Sequence, residues 1–106
     1  YKVESPGHLK GASGASHIFD VTASREKVHP NVLVFDLATS NDDEVTEQPI
    51  IAMFAKIYDV SPNRACVIGV PKINENGKKL AVLYKIDVIE AKDQKEVLRA
   101  LETLGI

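Results

Sequence analysis

Two aspartates, Asp20 and Asp36, are the residues of this 106-residue sequence whose type and position point most directly to chemistry. Asp20 follows the strand-like run HIF, and a glycine- and serine-rich stretch precedes that run, GASGAS at 11–16. Carboxylate oxygens are the ligands that hard divalent cations such as Mg²⁺ prefer, and a pair on neighbouring strands can hold one. The pair therefore suggests a metal site. The alternative is that each carboxylate sits at a strand end, solvated or hydrogen-bonded to backbone.

Asp36 most needs an explanation, because it interrupts the apolar run NVLVFDLA at 31–38. Such a run is typical of a central strand that is buried on both faces. A lone carboxylate inside it is costly unless it is paired, protonated, metal-bound or at the strand end. We therefore expect Asp36 to have a specific partner.

The glycine-rich loop and its neighbours supply further candidates. His17 lies three residues before Asp20 and could act as a third ligand or a base, although a single exposed histidine is the more common case. No G-x-S-x-G elbow or P-loop signature is present, so the loop is expected to give conformational freedom or close approach to a partner. Lys10, with Arg25 and Lys27, could add a modest basic rim. The candidate binding residues are Lys10, Gly11, Ser13, Gly14 and His17.

Hydrophobic periodicity predicts the elements that would position these residues. The order is β–β–β–α–β–α–β–α, and the seven mostly polar residues at 24–30 are too few for a helix between the second and third strands. This order indicates an α/β sandwich with a mixed sheet, formed by one domain over residues 1–106. The predicted ranges are strands near 1–4, 17–23, 31–38, 65–70 and 86–89, and helices near 49–58 and 75–85 and after Asp93. The inward residues of the second helix are expected to be Leu80, Leu83 and Tyr84, and Cys66 is expected to be a small core residue. Asp93 and Glu96 form a D-x-x-E capping pattern for the last helix, whose expected apolar stripe is Val97, Leu101 and Leu104.

Composition limits the possible partners. The net charge is −2 and the pI is near 5.9, so the whole chain has no general attraction to nucleic acid or to an anionic membrane. No apolar run reaches the roughly 20 residues that a bilayer-spanning helix needs, and no signal-peptide pattern opens the chain. The single cysteine, Cys66, cannot form an internal disulfide, so a cytoplasmic location is the default expectation.

Several segments together resemble the restriction-endonuclease-like core of archaeal Mrr-type proteins, over roughly residues 1–100. The shared features are the opening YKVES, a glycine-rich loop before a strand that ends in Asp, the buried strand NVLVFDLA, and the helix–strand unit KKLAVLYKIDVI. The resemblance implies a three-layer sandwich with a mixed sheet. The core helix that precedes the first strand in that family is not seen here, so we expect a fragment of a longer chain with other domains.

Nucleases of that family hold Mg²⁺ with an Asp and a Glu, and a Lys two residues after the Glu assists the attack of water. The resemblance places these roles on Asp20, on Asp36 and on Ala38, which cannot replace a lysine. The sequence therefore favours a degenerate domain that is not an enzyme and that serves as a DNA-associated or regulatory binding module. One alternative is an active Mg²⁺-dependent DNA endonuclease in which Ser40, His17 or an outside residue replaces the lysine. Another is a structural domain that forms a homodimer.

Overall fold

A five-stranded mixed sheet with three helices forms the body of the computed structural model, which describes residues 1–26 and 30–103. A separate two-stranded sheet is formed by β2 and β3. This confirms the predicted α/β class and mixed sheet. The elements are β1 (Lys2–Glu4), β2 (Gly7–Lys10), β3 (Ser16–Phe19), β4 (Val21–Arg25), β5 (Asn31–Thr39), α1 (Gln48–Val60), β6 (Arg64–Val70), α2 (Glu75–Tyr84), β7 (Asp87–Glu90) and α3 (Gln94–Thr103).

The main sheet has the strand order β1-β4-β5-β6-β7. Its first half is antiparallel, because β4 pairs with both β1 and β5 in that sense. Its second half is parallel, because α1 and α2 carry the chain back across the sheet before β6 and β7. The switch between the two halves lies at β5, the strand that carries Asp36.

One face of the sheet packs against α1 and α2. Pro49 lies in the first turn of α1, and two side chains of this helix, Ile50 and Met53, are fully buried against Val34 and Val67 of the sheet. On α2 the buried residues are small, Gly77 and Ala81, and the predicted inward residues Leu80 and Tyr84 pack against the same core. The prediction that Leu83 faces inward is wrong, because 71% of this residue is exposed.

The other face of the sheet packs against α3, through Val97 and Leu101. The predicted D-x-x-E cap of this helix is confirmed. The N–H of Glu96 donates to Asp93 Oδ1 at 3.0 Å, and the Glu96 carboxylate accepts from the N–H of Lys92 at 2.7 Å. Leu104, the last residue of the expected apolar stripe, lies outside the described residues. No helix within 1–26 and 30–103 is long and apolar enough to cross a membrane.

The segment 7–23 differs from the prediction of a loop followed by one strand. Residues 7–10 and 16–19 form an antiparallel hairpin of their own, and the chain joins the main sheet only after Asp20. Gly7 allows this arrangement, because a Cβ there would overlap the buried side chain of Thr22. The alternation at 17–23 is real, but it spans two strands in two sheets, so residues 1–26 and 30–103 contain ten elements rather than the predicted eight.

Candidate functional site

The structure brings Asp20 and Asp36 together at the start of β4, since Asp20 immediately precedes its first residue, Val21. The last pair of the β4–β5 ladder is Val21 with Phe35, so the two aspartates occupy the next opposed position. Beyond this pair, hydrogen bonds from backbone N–H groups to the two carboxylates take the place of the bonds between the strands. Asp36 Oδ1 accepts from the N–H of Asp20 at 2.9 Å, and Asp20 Oδ2 accepts from the N–H of Leu37 at 2.7 Å. Each carboxylate therefore fixes the backbone beside the other.

A lysine from α1 completes this group. Lys56 Nζ forms an ion pair with Asp36 Oδ2, and only about a fifth of either side chain is exposed, 22% for the lysine and 21% for the aspartate. The same ammonium donates to the carbonyl oxygen of Ile18 at 2.8 Å and lies 4.5 Å from the centroid of the Phe19 ring. An ammonium has three N–H donors, and here three partners surround it. Asp36 thus has the partner that its position in the apolar run required.

Lys56 lies on the same face of the sheet as Ala38, the residue at the position where the resemblance expects a lysine. Ala38 is buried in the core cluster beneath α1, on the same side of β5 as Asp36. Lys56 therefore brings a positive charge to this side of β5 from the helix above it. A signal was present in the sequence, because Lys56 falls at helical spacing between Met53 and Val60, on the flank of the apolar stripe of α1.

A cavity of about 430 Å³ borders both carboxylates. Besides Asp20 and Asp36 its polar lining consists of Ser5 and Thr39, and α3 contributes Val97 and Leu101 to its apolar wall. The site is therefore a partly apolar recess at the end of the β4–β5 pair. Of its two acidic groups Asp36 is half-buried, whereas Asp20 is exposed.

The donor set of this recess fits a hard divalent cation. Mg²⁺ is usually bound by one or two carboxylates and keeps several waters, so Asp20 and Asp36 supply enough protein ligands. Over the described ranges, 1–26 and 30–103, no group of three or more His, Cys, Asp or Glu side chains converges to hold a metal. Any cation here would therefore depend on these two carboxylates and on water or substrate oxygens.

A second polar cluster joins the glycine-rich loop to the last turn of α1. Asp59 Oδ2 accepts from the Ser13 hydroxyl at 2.6 Å and lies 2.7 Å from His17 Nε2, while Asp59 Oδ1 accepts from the Ser13 N–H at 2.8 Å. These bonds, from the Ser13 hydroxyl first, then His17 and the Ser13 N–H, lower the pKa of Asp59 to about 2. We name Ser13, His17 and Asp59 the loop cluster.

The loop cluster combines the residue types of a catalytic triad without the arrangement of one. Ser13 and His17 both bind the same oxygen of Asp59. Among the contacts of the described residues none joins the Ser13 hydroxyl to the His17 ring, so the bond between nucleophile and base that activates a serine is missing. His17 thus contacts Asp59 rather than Asp20, and Asp59 is a residue that the sequence had not singled out.

Packing and backbone conformation explain why glycine occupies positions 11 and 14 of the loop. A Cβ on Gly11 would overlap the carboxylate of Asp59, and Gly14 has a φ of +90°, which side chains rarely allow. The N–H of Ala12 donates to the Asp59 carbonyl at 2.9 Å. The expected close approach to a partner is therefore made to α1 of the same chain. Lys10 is exposed at the end of β2.

The expected basic rim is only partly described. The guanidinium of Arg25 lies 5.1 Å from the centroid of the Tyr1 ring, and Lys27 lies outside the described residues. Cys66 is buried in the second core cluster, as expected. Burial, followed by the nearby charge of Asp87, raises the pKa of its thiol to about 12.

Comparison with known proteins relates the chain by fold. No family model matches it, and no curated protein does. A crystal structure of the protein of unknown function AF1548 superposes with a TM-score of 0.67 at 16% sequence identity. The match covers 82% of this chain and 47% of that one, so the chain spans about half the length of its structural neighbour. At this identity the likeness establishes a shared α/β fold and nothing further.

Proposed function

We propose that Asp20, Asp36 and Lys56 form the site of a restriction-endonuclease-like domain that cleaves phosphodiester bonds with a divalent metal ion. The observation that carries this proposal is the ion pair of Lys56 with Asp36, one of the two aspartates that line the recess. The resemblance to Mrr-type proteins favoured an inactive domain because Ala38 occupies the lysine position. A lysine supplied by α1 removes that objection.

The fold supports the same proposal. A mixed sheet covered by helices on both faces is the arrangement that the resemblance to Mrr-type proteins implies, and the two aspartates lie where its central strands meet. Asp20 lies at the start of β4 and Asp36 within β5, so two neighbouring strands of the main sheet position their side chains.

The proposed roles follow from the chemistry of the three residues. Asp20 and Asp36 would hold Mg²⁺, which when bound supplies Lewis-acid polarisation of the phosphate and a more acidic water. Lys56 brings a fixed positive charge beside Asp36, and such a charge would stabilise the negative charge that develops on a phosphate bound at this metal site. The Ile18 carbonyl and the Phe19 ring limit its freedom, so this charge is positioned before substrate arrives.

A second function is favoured by the bonding of Asp36. One of its oxygens accepts from the Asp20 N–H and the other is paired with Lys56, so the lysine occupies a direction from which a metal ion could approach. In a degenerate domain the ammonium would replace the cation permanently, and the domain would serve as a binding or regulatory module. The two functions differ in whether metal reaches Asp36.

An Mg²⁺ and Mn²⁺ titration followed by amide NMR tests the proposal, with cleavage of DNA measured in parallel. We expect Mn²⁺ to broaden the amide signals of Asp20, Asp36 and Leu37, and Asp20→Asn to abolish this effect. We expect Lys56→Met to retain metal binding and to lose cleavage. The enzyme proposal fails if millimolar metal leaves the wild-type spectrum unchanged. If wild type does not bind metal and Lys56→Met does, the ammonium occupies the cation site and the degenerate module is supported.

A further inference from the structure

Two of the three partners of Lys56 belong to the hairpin rather than to the main sheet. The Ile18 carbonyl and the Phe19 ring both come from β3, which pairs only with β2 among the described strands. The position of the ammonium over Asp36 therefore depends on where this hairpin sits relative to α1.

The hairpin is in turn fastened to α1 by the loop cluster. Asp59 lies three residues after Lys56 on the helix, and its carboxylate receives the Ser13 N–H, the Ser13 hydroxyl and His17 Nε2 at 2.6–2.8 Å. Its carbonyl oxygen accepts from the N–H of Ala12. One turn of α1 thus carries both the lysine that the hairpin holds and the carboxylate that holds the hairpin.

The root of the hairpin is anchored independently of the loop cluster. Phe19 is fully buried in the main core, and Leu9 packs against the same cluster. Toward the tip the hairpin is more exposed, and Ser13 and Gly14 lie at the surface. Loss of the loop cluster should therefore release the tip and shift β3, while the fold of the hairpin root is retained.

We propose that the loop cluster regulates the site by positioning Lys56, through the docking of the β2–β3 hairpin on α1. When the cluster is intact, the Ile18 carbonyl and the Phe19 ring hold the ammonium on Asp36. When it is broken, Phe19 stays buried but β3 shifts on α1, so the Ile18 carbonyl holds the ammonium less firmly and the ammonium samples orientations away from Asp36. Ser13, His17 and Asp59 are positioning residues, since none of them contacts Asp20 or Asp36 in the described structure. The effect on cleavage rests on the proposed function, whereas the effect on Lys56 does not.

NMR of the lysine side-chain amines tests this directly, on the whole chain and without substrate. Asp59→Asn removes the charge of the cluster with little change in size. The matched control is Asp87→Asn, which breaks the exposed ion pair with Arg64 on a different part of the sheet. Lys56→Arg identifies the signal of Lys56. We expect Asp59→Asn to shift that signal and to speed hydrogen exchange of its amine roughly tenfold, while Asp87→Asn leaves both unchanged.

An unchanged Lys56 signal in Asp59→Asn, together with shifted amides for residues 12–17, would overturn the proposal, because the tip would then move without the lysine. Ser13→Ala is the milder variant if Asp59→Asn fails to fold, and a smaller shift of Lys56 in the same direction supports the proposal. Cleavage separates the two hypotheses. If Lys56 moves in Asp59→Asn and wild type shows no cleavage at any metal concentration, the positioning role stands and the proposed enzyme fails. If wild type cleaves, we expect Asp59→Asn to lower kcat and to leave the Mn²⁺ effect on Asp20 intact.

Discussion

At the scale of single residues, the sequence predicted that Asp36 needs a partner but not that the partner is Lys56. An aspartate inside NVLVFDLA was recognisable from the sequence as a group that needs a partner, because burial of an unpaired charge is costly. The identity of the partner was not, because Lys56 is 20 residues away and reaches Asp36 only after α1 has packed on the sheet. A partner from another element follows from tertiary packing and not from any local pattern.

Replacement of Lys56 should reveal how much Asp36 depends on it. We expect Lys56→Met to lower the free energy of unfolding by roughly 1–3 kcal/mol, because it leaves a carboxylate that is mostly buried without its cation. Urea unfolding measures this. In the double variant with Asp36→Asn part of the loss should return, since the uncompensated charge is gone. Equal stability of Lys56→Met and wild type would contradict the ion pair.

The thiol of Cys66 should be inert in the folded protein. With a pKa of about 12, the thiol is almost entirely protonated at pH 8. Its side chain is buried in the second core cluster. We expect no reaction with a chromogenic disulfide reagent under native conditions and one equivalent of reaction in denaturant. A rapid native reaction would mean that the second core opens far more readily than its packing indicates.

At the scale of elements, the hairpin β2–β3 is the part that the sequence described least well. The alternation at 17–23 predicted one strand, yet the chain changes sheets at Asp20. Period-two alternation reports which side a residue faces and cannot report which neighbour its strand pairs with. The helices were predicted better, because the apolar stripe of α1 and the cap of α3 are local signals.

The docking of the hairpin on α1 should depend on acid. The folded state lowers the pKa of Asp59 from 3.8 to about 2, so the unfolded chain binds this proton more readily. The resulting stabilisation is complete above pH 4 and is lost as the pH falls toward 2. Urea unfolding should therefore show a gap between wild type and Asp59→Asn that narrows across this window.

The control for the acid experiment is Asp43→Asn, which removes the same charge from an exposed loop. We expect Asp43→Asn to retain the wild-type slope of stability against pH between 4 and 2. A gap between wild type and Asp59→Asn that stays constant over this range would show that the carboxylate of Asp59 does not titrate with folding.

The first turn of α2 holds a glycine for reasons of packing. A Cβ on Gly77 would press on the buried Ile73 and on the Asn74 side chain that caps the helix. We expect Gly77→Ala to destabilise the fold by roughly 1 kcal/mol, because overpacking outweighs the better helix propensity of alanine. Asn76→Ala, at an exposed position one residue earlier, should be neutral or stabilising. Thermal unfolding distinguishes the two, and a stabilised Gly77→Ala would contradict the close packing.

At the scale of the whole molecule, the sequence predicted the α/β class and the mixed sheet, because both follow from the order and spacing of the elements. It left the strand order open, since the pairing of β1 with β4 joins residues that only the folded chain brings together. The recess beside Asp20 and Asp36 forms where α3, packed on one face, meets the strand ends. That meeting depends on the complete fold.

A metal site at this recess should stabilise the entire fold. A ligand that binds only the native state raises the free energy of unfolding by about 1.4 kcal/mol at ten times its dissociation constant. We therefore expect the thermal midpoint to rise with Mg²⁺ concentration in wild type and to stay constant in Asp20→Asn. Ca²⁺ serves as a second hard cation. An identical rise in both proteins would place the bound metal elsewhere.

The reciprocal bonds between the two aspartates have an evolutionary consequence. Each carboxylate holds a backbone N–H at or beside the other residue, so a change at either position disturbs both strand ends. Drift at one site is therefore penalised even in a lineage that has no use for catalysis. A descendant could lose its catalytic activity and still keep both aspartates for their structural role. Conservation of the two aspartates among relatives would therefore reflect the fold as much as activity.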